Sequence, residues 1–426
     1  MKTPLSLIAI LLVAATFLSG CRDRVYKTYN ANVPIYLSYE DWRALDVELE
    51  ESRDPNFPGK IYIYNDLLFV NDVFQGIHVY NYSDPANPVA IGFIGIPGNI
   101  DLAIRDGFMY ADSYYDLLII DISNIQNPHV VGRVEDAFDF DSVEAIPGLD
   151  SNYPVAEWNE DKGVVLGWKI ESVTIEDYPN YYYPNIDVFA VGSTLETAIA
   201  HDPSISSVGI GGSMAQFSIY HDNLYTVEET ALTTYDLTNP ENPTVTDEEQ
   251  ITLVAETIFP AQEHLFIGTQ NGMLIYSLSN PNDPSWVSTY DHVVSCDPVV
   301  VDGDYAYVTL ATGRQCWMGI NQLEVIDISN LSNPTLLREF EMNNPQGLGV
   351  DQNTLFLCDN GAGLKVFDIT DPLSLDQHQL ATFPEIDTYD VIPYQDVLIM
   401  VGGNGIRFYD YSDVQNIYLV STIDVQ

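Results

Sequence analysis

Basic side chains are the first scarcity in this 426-residue chain: 15 Lys and Arg stand against 62 Asp and Glu, a formal charge of −47. An excess of that size repels polyphosphates and anionic headgroups, which sets aside nucleic acid and an anionic membrane surface as electrostatic partners. Cysteine is scarce too, at four residues, too few for a fold built on a disulfide framework. No long stretch places apolar residues at helical spacing, so a helical bundle is not expected. The apolar run within residues 5–17 is too short for a comfortable membrane span. Familiar catalytic spacings are missing as well. His78, His129, His201, His221, His264, His292 and His378 are scattered, with no His-x-x-x-His or His-Glu-x-x-His. There is no Gly-x-Ser-x-Gly, P-loop, dinucleotide fingerprint or Asp-x-Asp-x-Asp-Gly calcium loop.

What is present is strand and turn chemistry: Tyr, Val, Ile and Thr, with many Asn, Asp, Gly and Pro. The N-terminus is different. Lys2 precedes the apolar run, and the segment ends Leu18-Ser19-Gly20-Cys21, which resembles a bacterial lipobox. The resemblance implies a signal peptide over residues 1–20, cleavage before Cys21 and lipidation of that cysteine. Several acyl chains on one residue anchor stably where a single chain does not. Arg22, not Asp, follows the cysteine, so the inner-membrane retention signal of enterobacterial-type lipoproteins is missing. The expected address is the bacterial cell envelope, at the outer membrane. The mature chain then carries a formal charge of −48, because Lys2 leaves with the signal. Its acids are spread along the chain. A well-solvated surface in a saline medium, where salt screens self-repulsion, accounts for them; cation binding is the alternative.

Residues 21–58 are expected to form a lipidated tether. Ser38-Tyr-Glu-Asp41 before Trp42 and Leu45 is a capping-box pattern for one short helix. From residue 59 onward a unit of about forty residues recurs, the period of propeller blades. Gly319-Ile-Asn-Gln-Leu-Glu-Val-Ile-Asp-Ile-Ser-Asn-Leu-Ser-Asn-Pro334 shows it best: strand, polar turn, next strand. Leu118-Ile-Ile-Asp-Ile-Ser-Asn-Ile-Gln-Asn-Pro128 and Thr234-Tyr-Asp-Leu-Thr-Asn-Pro-Glu-Asn-Pro243 repeat it. Aligning on the aspartate gives Asn81, Asp121, Asp236, Ser277, Asp327, Asp368 and Asp410. That is seven units of four strands, closed by Asp-Gly and Asn-Pro turns. The expected fold is all-β, a seven-bladed β-propeller over residues 59–426. The second interval is too long for one unit, so residues 135–212 are an insertion between blades 2 and 3, with a strand at Val164-Val-Leu-Gly-Trp-Lys-Ile170. Ring closure leaves only short edges to protect.

The repeated (Val/Ile)-(Ile/Tyr)-Asp-(Ile/Leu)-(Ser/Thr)-Asn-Pro pattern resembles the LVIVD-repeat family of envelope proteins, which implies a β-propeller. Ser295-Cys-Asp-Pro-Val-Val-Val-Asp-Gly-Asp-Tyr-Ala-Tyr-Val308 and Asn321-Gln-Leu-Glu-Val-Ile-Asp-Ile328 look like its lipoprotein branch. Two units depart: Ser277 replaces the aspartate, and Asp413-Val-Gln-Asn-Ile417 lacks the proline. The family supplies no catalytic residues to carry over.

In such a ring the fourth-to-first connections and second-to-third loops share one face. Residues 135–212 and 311–322 both open there, which marks the elaborated face as functional. Lys60, Asp101, Gln216, Thr257, Asp297, Gln346 and Asp390 begin the innermost strands and should ring the channel mouth. Either they cap exposed strand ends or they form a polar pocket, with Asp101, Asp297 and Asp390 as acidic members suited to calcium. Cys296 and Cys316 sit at adjacent hairpin ends, which allows a disulfide; Cys358 alternates within a strand and should be buried. Trp158 with Tyr181, Tyr182 and Tyr183 is a candidate aromatic platform for carbohydrate, or packs the insertion. The leading expectation is a lipid-anchored, non-enzymatic scaffold that binds an envelope protein or glycan. The alternatives are a hydrolase or lyase on an extracellular polymer, acting at an acidic channel mouth, and a structural assembly subunit.

Overall fold

The computed structural model describes residues 25–140, 146, 148–156, 158–177, 213, 215–228, 230–251, 253–292, 298–311, 320–386 and 388–425. Cys21, Cys296, Cys316, Asp297, Tyr181, Tyr182 and Tyr183 lie outside the described residues. The described chain falls into two compact units. The first holds the residues up to Tyr39 and those from Ile146 onward to 177; the second holds Glu40 onward to 140 and everything from Ser213.

In the first unit, Val25–Leu37 is a single long strand paired antiparallel with Val164–Asp177. The second of these contains the strand expected in the insertion. The first reads as a tether because Asn and Pro are depleted in strands. Tertiary bonding overrides that preference at Asn32, which is fully buried. Its Nδ2 donates to the carbonyls of Asp150 (2.9 Å) and Tyr153 (2.7 Å), and its Oδ1 accepts from Asp150 N (3.0 Å). A two-stranded ribbon is marginal alone; this network and the burial of Ala31 and Trp168 supply what pairing does not.

The second unit contains seven four-stranded antiparallel meanders, the blades of a propeller. Blade 1 gains a fifth strand, Leu49–Glu50, on its outer edge. The inner strands are Pro58–Tyr64, Leu102–Arg105, Phe217–Tyr220, Ala255–Ala261, Val299–Asp302, Pro345–Asp351 and Asp390–Tyr394. Successive residues of the second strands are buried, as Leu68, Phe69 and Val70 are in blade 1, so both faces of a blade pack on its neighbours. Ile61 and Val70 of blade 1 meet Ile392, Ile399 and Phe408 of blade 7, which closes the ring. Each such fully buried side chain contributes about 1.5–3 kcal/mol.

The aspartates that define the repeat are turn acceptors. Asn81, Asp121, Asp236, Asp327, Asp368 and Asp410 each accept the backbone N–H two residues on, at 2.7–3.0 Å. Ser277 makes the same bond through Oγ, at 3.2 Å. The turn without a proline closes too, with Asn416 N on Asp413 O at 2.9 Å. Serine or threonine hydroxyls, then the backbone N–H, hold Asp121, Asp327, Asp368 and Asp410 below the ordinary carboxylate range. Every blade also carries a bulge between its third and fourth strands. A bulge twists the outer edge away from further pairing.

Candidate functional site

The residues expected around the channel mouth are mostly buried and bonded. Lys60 and Asp101, at 2% and 3% side-chain exposure, pair at 3.3 Å. Asp101 Oδ2 also accepts from the backbone of Gln216 (2.7 Å) and Phe217 (3.1 Å), and Oδ1 from Leu102 N (2.7 Å). One carboxylate therefore joins blades 1, 2 and 3. Thr257 and Asp390 are buried, and the Gln346 carbonyl accepts from Thr309 Oγ1 at 2.8 Å. The Oγ of buried Ser213, just ahead of blade 3, lies 3.4 Å from Leu348 N in blade 6. Asp390 Oδ1 sits where a side chain on Gly347 would begin, 2.5 Å from an added Cβ. Among the described residues no group of three or more His, Cys, Asp or Glu is placed to hold a metal ion.

Beside this ring runs a buried amide network with no signature in the repeat register. Asn71 Nδ2 donates to Asn99 Oδ1 (2.7 Å), and Asn99 Nδ2 donates to Asp112 Oδ1 (2.8 Å). Asp112 also accepts from the backbone of Ile100 and Asp101. Burial pushes the Asp112 carboxyl up to about 7, against the pull of those donors and with the help of the Asp101 charge.

The larger feature of this face is a strap, residues 40–57, laid over blades 1 and 2. The expected short helix is present as Tyr39–Arg43, acidic in its first turn and basic in its last. It aims Trp42 into the propeller at 1% exposure. Trp42 Nε1 donates to Ser113 Oγ at 3.1 Å, and Ser113 Oγ donates in turn to Pro97 O at 2.7 Å. Arg43 forks onto buried Asp116 at 2.8 and 2.9 Å and reaches Glu135 and Asp136. Its hydrogen bond to Asp116 outweighs burial and holds the guanidinium well above its ordinary value. Arg133 shares Asp116 at 2.9 Å. Further on, Asp46 Oδ1 accepts from Val130 N, and Leu49–Glu50 pairs with Phe93 and Ile94. Asp72 then accepts from Asn56 N and Phe57 N and pairs with buried His78 at 3.1 Å. Burial works to raise Asp72, but His78 and those amides together hold it below the usual range.

Under the strap lies a cleft of about 310 Å³, lined by Trp42, Val47, Glu50, Arg53, Gln75 and Phe93 among others. The Arg53 guanidinium lies over Phe93, its central carbon 3.5 Å from the ring centre. A second cleft of about 290 Å³ between blades 5 and 6 holds Lys365, but that ammonium already pairs with Asp359 at 2.6 Å. Trp158, the one platform residue described, is exposed and belongs to the first unit. Cys358 is buried, its sulfur 3.6 Å from Thr388 Oγ1. Sequence reasoning found the strap's helix and missed its cleft, because the strap has no repeat to align and no motif of its own.

The LVIVD repeat family model matches residues 99–136 and 295–341. The chain therefore carries LVIVD repeats within a seven-bladed propeller. A solved protein from Lactobacillus plantarum is 12% identical, with a TM-score of 0.53, covering 86% of this chain and 97% of its own. Hsv2 of Kluyveromyces lactis is 12% identical with a TM-score of 0.48, covering 87% of this chain and 100% of that one. The computationally designed Ika8 protein is 8% identical with a TM-score of 0.49, covering 89% and 91%. At such identities the likeness is one of fold. No curated protein matches the sequence.

Proposed function

We propose that this chain is a non-catalytic binding scaffold of the bacterial cell envelope. It is anchored by lipid on Cys21 at the outer membrane and holds a protein or glycan on its elaborated face. The observation that carries this reading is the contrast between the two faces of the propeller. One face is closed by seven near-identical turns, and the other carries the strap and the 310 Å³ cleft. Propeller architecture suits the role, since it presents irregular loops on a ring that its own core holds rigid. Asp101 favours binding over polymer cleavage. A carboxylate already committed to Lys60 and three backbone amides is poorly placed to move a proton.

Two measurements test the proposal. Cys21→Ser is expected to shift the protein from membranes to the soluble fraction; unchanged fractionation, with no lipid mass on the mature N-terminus, overturns the anchor. The soluble form is expected to be retained on envelope polysaccharide or an envelope protein without generating new reducing ends. Release of reducing ends or unsaturated sugars would overturn the non-catalytic reading.

A further inference from the structure

We infer that the cleft under the strap is a binding site for a small zwitterion: a free apolar α-amino acid or a dipeptide, held by its carboxylate and its ammonium at once. Glu50 and Arg53 carry the argument. Glu50 is the register partner of Phe93 across the short fifth strand of blade 1. Its Oε1 lies over Gly95, 2.7 Å from where a Cβ there would stand. Arg53 lies over Phe93 itself. Phe93 and Gly95 are two residues apart on one face of one strand, so Arg53 and Glu50 stand over neighbouring positions of the same face. Among the described residues Glu50 and Arg53 form no ion pair, with each other or with another side chain, whereas Arg43 and Arg133 do.

In this chain that arrangement is unusual. Acids outnumber bases 62 to 15, and the neighbouring Arg43 and Arg133 are both engaged by Asp116. Arg53 alone among these three faces the cleft without a carboxylate. The cation–π contact with Phe93 holds the guanidinium in place and leaves its donors for an incoming carboxylate. Strand pairing fixes the backbone of Glu50, whose carboxylate is the matching acceptor for an ammonium. Val47 and Ile96 supply an apolar floor, and the Gln75 amide lines the same cleft. A cleft of about 310 Å³ is at the lower end of small-ligand sites. A net-neutral zwitterion also avoids the general repulsion that a −47 chain exerts on acids.

This inference rests on the reading of the elaborated face as the binding face, and it fails separately from it. The experiment is calorimetric titration of the mature chain in detergent with L-leucine, L-phenylalanine and Leu-Leu, each against its N-acetyl and its C-amide form. Binding of at least one zwitterion is expected, weakened by about tenfold or more when either end is blocked. Arg53→Gln should remove the penalty for C-amidation, and Glu50→Gln the penalty for N-acetylation. Both residues are exposed on the strap, so circular dichroism and thermal unfolding should match the parent protein. Equal binding of the N-acetyl form overturns the zwitterion assignment in favour of a simple carboxylate site. No binding by any of the three, in a preparation still retained on envelope polymer, overturns the cleft assignment and leaves the scaffold reading standing.

Discussion

On the turn face of the propeller one hydrogen bond is made seven times over, whereas on the strap face each buried polar group has its own solution. Asp121, Asp327, Asp368 and Asp410 are interchangeable: partly exposed, satisfied by the chain two residues on, and held low by a hydroxyl. Asp72, Asp101, Asp112 and Asp116 are not. Their partners are respectively a histidine, a lysine, an asparagine and a pair of arginines, most of them far away in sequence. The difference is one of reach. A local turn can be repeated wherever its short motif is repeated, but a buried carboxylate must be met by whatever the fold brings to it. Periodicity therefore marks what builds the ring, and departures from it mark where something particular is held.

The comparison breaks most sharply at Lys60. Lys60→Met leaves Asp101 buried without its cation and should destabilise the protein by about 3–5 kcal/mol in denaturant unfolding. Lys60→Met with Asp101→Asn should recover part of that loss. A lone Lys60→Met within about 1 kcal/mol of the parent would mean that the backbone amides suffice for Asp101.

The next effect is one of pH. The folded protein holds the Asp112 proton up to about 7, while the unfolded chain releases it near 3.8. The folded state thus binds more protons between those values, and this group's contribution to stability is lost as pH rises through that window. The turn aspartates and Asp72 act with the opposite sign: their stabilisation is present above the ordinary carboxylate value and is lost as pH falls through their lowered values. Asp112→Asn should abolish the decline between about pH 4 and 7 in thermal unfolding while leaving the acid limb unchanged. A decline that survives the substitution assigns it elsewhere.

Smaller again is the strap's anchor. Trp42→Phe keeps most of the packing and loses the bond to Ser113 Oγ, a cost of about 1 kcal/mol. Proteolysis within residues 44–57 should accelerate while the blades stay protected, and cleavage elsewhere first would show that Trp42 braces the ring instead. On the turn face, Asp327→Ala and Asp368→Ala should each cost less than Trp42→Phe and nearly equal amounts. Unequal costs would deny that the seven turns are equivalent. Calcium should have the least effect. At fixed ionic strength it should raise the melting temperature no more than sodium salt does, because Asp101 is already neutralised by Lys60; a specific shift would reopen the acidic channel mouth.

The repeating half of this contrast is legible in the sequence. The forty-residue period, four strands to a unit and the aligned Asp or Ser at each turn lead directly to the seven blades. In blade 5 the expected succession of strand, polar turn and next strand is observed, as Gln322–Asp327 and Thr335–Glu341 on either side of the turn. The polar positions at the inner strand starts are legible too, though not their pairing: Lys60 with Asp101, and Asp101 with the backbone of Gln216, are contacts between blades. Val25–Leu37 is not legible as a strand, since its partner lies more than a hundred residues on and its Asn and Pro argue locally against one.

The division follows from the range of the forces. Alternation of apolar residues, turn hydrogen bonds and the fixed φ of proline act within a few residues, so the sequence by itself determined the strands, the turns and, through their repetition, the ring. Burial of a charge, the fit of Trp42 under the strap, and Glu50 and Arg53 standing unpaired above one strand depend on segments joined only when the chain closes. Those the tertiary structure alone decided, because the desolvation that makes a buried carboxylate costly exists only once water has been excluded, and Glu50 and Arg53 reach blade 1 only when the strap is laid on it.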